Sequence, residues 1–159
     1  MLTVDIICVG NLKERYWRDA CAEYIKRLTP WAKVTVTELM EEHGKADNDS
    51  NIEAIIHGEG QRILDAVGKK AYMIALCIEG KKFTSPALSK KLSDVMLAGS
   101  SDIAFVIGGS YGLSPAVKAR ADLKFSMSDL TFPHQLARVM LLEQIYRTLS
   151  IMNGTKYHK

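Results

Sequence analysis

The sequence predicts a single α/β domain: a largely parallel β-sheet with helices on both faces. Three observations carry this reading. Short apolar runs alternate with amphipathic stretches along the whole chain, so successive strands are joined by helical crossovers, as parallel pairing requires. Two of the runs, Ala71 to Ile78 and Asp102 to Ile107, hold almost no polar residue and therefore belong in the middle of a sheet covered on both sides. Finally, 159 residues with 47% hydrophobic and 25% charged side chains suit one folded domain and exclude a disordered tail.

Each element has its own signal. Leu2 to Val9 reads as a buried strand ended by Gly10. From Leu12 to Leu28, Trp17, Ala20, Cys21, Tyr24, Ile25 and Leu28 recur at helical spacing until Pro30 stops them. Lys33 to Met40 alternates Val34, Val36 and Leu39 with Thr and Glu, a half-exposed strand, and Glu41 to Ser50 is a polar loop. Asn51 to Val67 returns to helical spacing, with Gly58 and Gly60 interrupting its middle. After the strand at Ala71 to Ile78, Glu79-Gly80-Lys81-Lys82 reads as a turn, and Ser85 caps a helix with Pro86 at its first position, running to about Ala98. The strand ending at Ile107 leads directly into Gly108-Gly109-Ser110-Tyr111-Gly112. Ser114-Pro115 opens a short helix, Leu123 to Met127 is a fifth strand, and Phe132 to Met152 is a long final helix with Thr131 as its cap.

Composition narrows the function classes. No apolar run approaches the ~20 residues that cross a bilayer, and Asp5 spoils a signal peptide, so the expected location is cytoplasmic. Cys8, Cys21 and Cys77 are odd in number and far apart, which suits a reducing compartment and neither a disulfide framework nor a CxxC metal site. No His or Cys pair has ligand spacing, so no metal is expected. The net charge of +3 permits a nucleic-acid partner without requiring one.

In parallel sheets ligands bind beyond the carboxyl ends of the strands, which selects the loops after Leu76, Ile107 and Met127. The glycine loop lets backbone approach a ligand closely, but it lacks the Gly-Lys-Ser/Thr of a P-loop and is not a dinucleotide fingerprint. It does match the GxSxG elbow of serine hydrolases, with Ser110 as nucleophile and Asp129 and His134 following in that order, although Pro115 starts the helix several residues late for an elbow. A second cluster spans Ser126 to Arg138, where His134 and Arg138 share one helix face and could bind an anion or manage a proton. The last helix is apolar nearly all round (Val139, Met140, Leu141, Leu142, Ile145, Leu149, Ile151), which predicts burial on more than one side and a homodimer built on it. On the first helix, Lys13, Arg15, Arg18, Lys26 and Arg27 with Tyr16 and Trp17 could contact RNA or form a solvated face.

Taken together, Thr131-Phe132-Pro133-His134-Gln135, Arg138, Glu143-Gln144-Ile145-Tyr146-Arg147, the glycine loop after Phe105-Val106-Ile107, the start Ile7 to Lys13 and the end Tyr157-His158-Lys159 resemble one family. It is the ribosomal RNA large subunit methyltransferase H family of SPOUT-class pseudouridine methyltransferases, and the resemblance covers the whole chain. It implies a C-terminal trefoil knot, which sequence physics alone would not give. It also implies S-adenosylmethionine as cofactor, held at Leu76, Gly108, Met127, Ser128, Asp129, Leu130, Thr131 and Phe132. The implied reaction is methylation of N3 of a pseudouridine in large-subunit (23S) ribosomal RNA on assembled ribosomes. His134 and Arg138 are then the candidates for handling the N3 proton or an RNA phosphate, with Tyr157 and His158 completing the pocket from the other subunit. A serine hydrolase and a non-catalytic nucleotide- or RNA-binding module are the competing readings.

Overall fold

The computed structural model describes residues 1–159. The elements are β1 (Leu2–Val9), α1 (Arg15–Leu28), β2 (Ala32–Leu39), α2 (Asp49–Ala66), β3 (Tyr72–Lys82), α3 (Ser85–Leu97), β4 (Asp102–Ile107), α4 (Pro115–Arg120), β5 (Leu123–Ser126) and α5 (His134–Met152). The five strands form one sheet in the order β2-β1-β4-β3-β5. All four pairings are parallel. The driest strand, β4, is central, and β1 and β3 flank it.

Alternation along the strands splits the core into two layers. Leu2, Val4, Ile6 and Cys8 of β1, with Ile103, Phe105 and Ile107 of β4, pack against Cys21 and Leu28 of α1, Leu88 and Leu92 of α3, and Leu141, Leu142 and Ile145 of α5. On the opposite face Ile7 and Val9, Met73 and Ala75, and Ala104 and Val106 meet Ile63 of α2 and Val117 of α4. Helices therefore cover both faces, three on one and two on the other. Since α3 leaves β3 for one face and α4 leaves β4 for the other, a crevice opens between the carboxyl ends of these two neighbours.

Three local expectations are corrected. The segment Glu79-Gly80-Lys81-Lys82 is not a turn but the end of β3, where pairing with β5 jumps from Leu76↔Phe125 to Lys81↔Phe125. Residues 77–80 are extra on that strand and form a bulge in its pairing with β5. Gly80 allows the close approach, since a Cβ there would lie 2.7 Å from backbone atoms of Lys124 and Phe125. Helix α3 is capped by Thr84, whose side chain accepts from the Ala87 N–H, one residue before the expected Ser85. Helix α5 begins at His134 behind Pro133, with no side-chain cap, so Thr131 does not cap it.

Candidate functional site

The glycine loop is shaped by contacts that exclude side chains. Gly112 has φ +88 and donates its N–H to the Gly109 carbonyl at 3.1 Å, closing a tight turn. A Cβ on Gly108 would lie 2.8 Å from Leu113 Cδ2. Beside it, the bulged end of β3 presents Leu76, Cys77, Ile78 and Glu79. Beyond β5, the Ser126 hydroxyl donates to the Ser128 carbonyl (2.9 Å) and the Ser128 hydroxyl accepts from the Leu130 N–H (3.1 Å), folding that segment inward.

These three strand ends enclose a cleft of about 700 Å³, within the ordinary range for small-molecule sites. Leu76, Gly108, Met127, Ser128, Leu130, Thr131, Phe132 and His134 all line it. Asp129 does not; it faces Lys82 across β3 at 2.7 Å. Backbone and apolar groups dominate the walls. The charged rim is an ion pair that sequence reasoning missed, Lys118 Nζ to Glu79 Oε1 at 2.5 Å, and this hydrogen bond holds the Glu79 carboxyl below its usual range. Nothing in the sequence marks Lys118, because it reaches the rim only through the β3 bulge.

His134 stands at the mouth of the cleft on the first turn of α5. Its floor is Gly10, where a Cβ would lie 3.4 Å from His134 Cε1 and 2.9 Å from Glu41 Oε1. Arg138, one turn on, is in a different setting. It is 3% exposed and sealed beneath the cleft, donating to Glu38 Oε2 (2.6 Å) and to the Gly10 carbonyl (3.3 Å). The same Glu38 oxygen accepts from the Leu12 N–H at 3.3 Å. Arg138 thus grips from below the residue on which His134 rests.

The tail packs on its own chain, away from this cleft. The Tyr157 hydroxyl donates to Glu143 Oε1 (3.0 Å), its ring meets Tyr146 edge-on at 4.7 Å, and His158 Nδ1 lies 3.2 Å from Arg147 Nη1. Arg147 in turn holds Glu143 at 2.5 Å. Burial, then the Glu143 hydrogen bond, push the Tyr157 phenol above its ordinary value. Glu143 lies nine residues along α5 from His134, ~13 Å at the helical rise, so one chain does not bring Tyr157 and His158 into the cleft. Glu143 borders a second groove of about 560 Å³ with Tyr24, Phe83, Val139 and Met140, which shares Phe125 and Met127 with the first.

The hydrolase constellation is not assembled. Ser110 is exposed, no hydrogen bond joins it to His134, Asp129 is engaged with Lys82, and α4 starts only at Pro115. The basic face of α1 is largely committed as well. Arg18 donates to the carbonyls of Leu12 and Lys13, Arg15 pairs with Asp19 and Arg27 with Glu23, leaving Tyr16 as its exposed aromatic. No helix is long and apolar enough to cross a membrane, and no three His, Cys, Asp or Glu side chains converge as a metal site.

Comparison with known proteins agrees with this geometry. The family model described as "Predicted SPOUT methyltransferase" matches residues 2–158. The chain is 52% identical to a ribosomal RNA large subunit methyltransferase H of Streptococcus thermophilus over 99% of its own length and all of that protein. It is 47% identical to the protein of the same name in Oenococcus oeni over the full length of both. Among solved structures, a "probable methylase family protein" of Haemophilus influenzae superposes with a TM-score of 0.54 at 11% identity, covering 98% of this chain and 70% of that one, a likeness of fold alone.

Proposed function

The chain belongs to the SPOUT methyltransferase family, as a methyltransferase of the ribosomal RNA large subunit methyltransferase H type, and from that premise we propose the rest of its activity. It transfers a methyl group from S-adenosylmethionine to N3 of a pseudouridine in large-subunit ribosomal RNA, on assembled ribosomes in the cytoplasm. The observation that carries this reading is the cleft at the carboxyl ends of β3, β4 and β5, walled by backbone and apolar groups and edged by a glycine loop packed too tightly at Gly108 and Gly109 for a Cβ.

The residues present fit the cofactor. Leu76, Gly108, Met127, Ser128, Leu130, Thr131 and Phe132 face it, and Asp129 braces the last loop from outside through Lys82. The C-terminal part, β5 with α5, is threaded as the family's trefoil knot. The bound cofactor supplies an already activated methyl group, so the protein's work is alignment and handling of one proton. His134 at the cleft mouth accepts the proton that N3 loses, or stabilises the negative charge left on N3 while water takes it. Arg138 acts from beneath, fixing Gly10 and Glu38 and so the seat of His134.

The functional unit is a homodimer. Val139 and Met140 on α5, with Phe83, leave an apolar groove only half buried in one chain, and Tyr157 and His158 lie one groove away from the cleft they are to complete. A two-fold partner across α5 brings its own tail to the neighbour's site. The test is transfer of labelled methyl from S-adenosylmethionine to ribosomes lacking the modification, with the labelled nucleotide identified after digestion. Label on N3 of pseudouridine is expected; no transfer, or label on another base, refutes the proposal.

A further inference from the structure

Two opposite charges stand in a cleft otherwise walled by backbone and uncharged side chains. The only carboxylate in its lining is Glu79, and the only ammonium or guanidinium is Lys118. They reach the cleft from different elements. Glu79 belongs to the residues bulged out of the pairing between β3 and β5. Lys118 follows Val117, whose side chain is wholly buried and packs α4 onto the sheet. Lys118 Nζ and Glu79 Oε1 meet at 2.5 Å, with side chains 33% and 49% exposed. Lys124 of β5 is the other charge that acts on Glu79, and it does not line the cleft.

An ion pair this exposed adds little to folding stability, so stability does not account for its place here. It does leave binding capacity. An ammonium has three donors and a carboxylate about four acceptor positions, and one contact between them engages a single N–H and a single oxygen. The cofactor proposed for this cleft offers three kinds of group. Its adenosine is neutral, its sulfonium carries positive charge alone, and only its amino-acid end carries both signs, an α-carboxylate and an α-ammonium on one carbon. A fixed carboxylate–ammonium pair matches that end: laid against it, the four charges alternate, and each new contact is a charge-assisted hydrogen bond. A sulfonium would be attracted by Glu79 and repelled by Lys118, and ribose hydroxyls would call on the carboxylate alone. We propose that Lys118 and Glu79 form the subsite for the amino-acid end of the cofactor, Lys118 donating to its carboxylate and Glu79 accepting from its ammonium. The inference rests on the cofactor reading of the cleft.

Calorimetry with three ligands tests it. S-adenosylmethionine is compared with S-adenosylhomocysteine, which keeps the amino-acid end but lacks the sulfonium charge, and with 5′-methylthioadenosine, which keeps adenosine and sulfur but lacks the amino-acid end. Lys118→Met and Glu79→Gln should each weaken the first two ligands at least tenfold, the loss of one hydrogen bond between charged groups. Both variants should bind 5′-methylthioadenosine within about twofold of the parent and melt within ~2 °C of it, because the pair is exposed. Lys118→Arg keeps the charge and its donors and should bind all three ligands within about threefold of the parent. Equal weakening of 5′-methylthioadenosine would put the pair against the ribose, or make it a support of the cleft wall, and overturns the proposal. A loss confined to S-adenosylmethionine would put Glu79 against the sulfonium and overturns it as well. Parental affinity of both variants for all three ligands removes this subsite alone, whereas a parent protein that binds none of them removes the cofactor reading first and this inference with it.

Discussion

Replacing Arg138 by Met keeps the length and apolar stem of a side chain that is 3% exposed, and removes two interactions at once. The Gly10 carbonyl loses its donor inside the core, at a cost of ~1–3 kcal/mol. Glu38, whose side chain is 41% exposed, rehydrates in part, so the lost ion pair adds only ~1 kcal/mol. The sum, roughly 3 kcal/mol, corresponds to a melting temperature lower by roughly 6–12 °C in a domain of this size. Thermal unfolding of Arg138→Met, Glu38→Gln and the double variant measures it, and the cycle should show a coupling of ~1 kcal/mol or more between the two residues. Methyl transfer well below the midpoint should fall at least tenfold in turnover with cofactor affinity retained, because the seat of His134 is loosened while the cleft walls are untouched. Arg138→Lys can hold Glu38 or Gly10 but not both, and belongs between the two. A melting temperature within ~2 °C of the parent, or unimpaired turnover, refutes this account of Arg138.

His134→Ala should lower turnover at least tenfold with an unchanged melting temperature; full activity would remove it from the proton path. Deleting Tyr157 to Lys159 should impair turnover while sedimentation still reports a dimer, and unimpaired turnover would show that these residues only cover α5. Gly80→Ala forces a Cβ to 2.7 Å from the β5 backbone and should cost ~1–3 kcal/mol while weakening cofactor binding, since the bulge it disturbs forms one wall of the cleft; denaturant unfolding and calorimetry report the two effects. Burial pushes the Cys8 thiol up to about 11 from its usual 9.0, so the folded chain keeps this proton after the unfolded chain has lost it. Stability is therefore full below pH 9 and falls as pH rises toward 11, by about 3 kcal/mol from this group. Cys8→Ala should flatten that alkaline slope in denaturant titrations at successive pH values, and an unchanged slope would contradict the assignment.

Sheet class, helix faces and the central position of β4 were legible because apolar periodicity reports burial directly: the odd and even residues of β1 do serve two cores. The cleft was legible for a different reason, since parallel strands put all their carboxyl ends on one edge and the glycine loop marks one of them. The end of β3 was not. Glu79-Gly80-Lys81-Lys82 has the composition of a turn, and only pairing with β5 holds it extended, an interaction 44 residues distant (Lys81 with Phe125, Lys82 with Ser126) that no local pattern encodes. Arg138 is a related case. Its spacing from His134 correctly placed both on one helix, but whether a cation faces a ligand or a buried carboxylate depends on Glu38, 100 residues away.

That difference between neighbouring residues bears on why so small a domain carries the proposed reaction. None of the 19 residues of α5 is exposed; eight are buried and the other eleven, His134 among them, are half-buried. The helix presents His134 at its first turn, spends Arg138 on holding the floor below, and uses Glu143 and Arg147 to anchor the tail. The two ends of this machinery are ~13 Å apart along one helix, and within one chain Tyr157 and His158 do not line the cleft that His134 borders. In the proposed homodimer, a two-fold axis beside the half-buried Val139 and Met140 would remove that separation by setting the tail of one chain against the His134 end of the other. The weak net charge of +3 fits the same picture: 21 cations nearly balanced by 18 carboxylates give little long-range attraction to phosphate, and recognition of a large folded substrate then falls mainly to the shape of the proposed dimer.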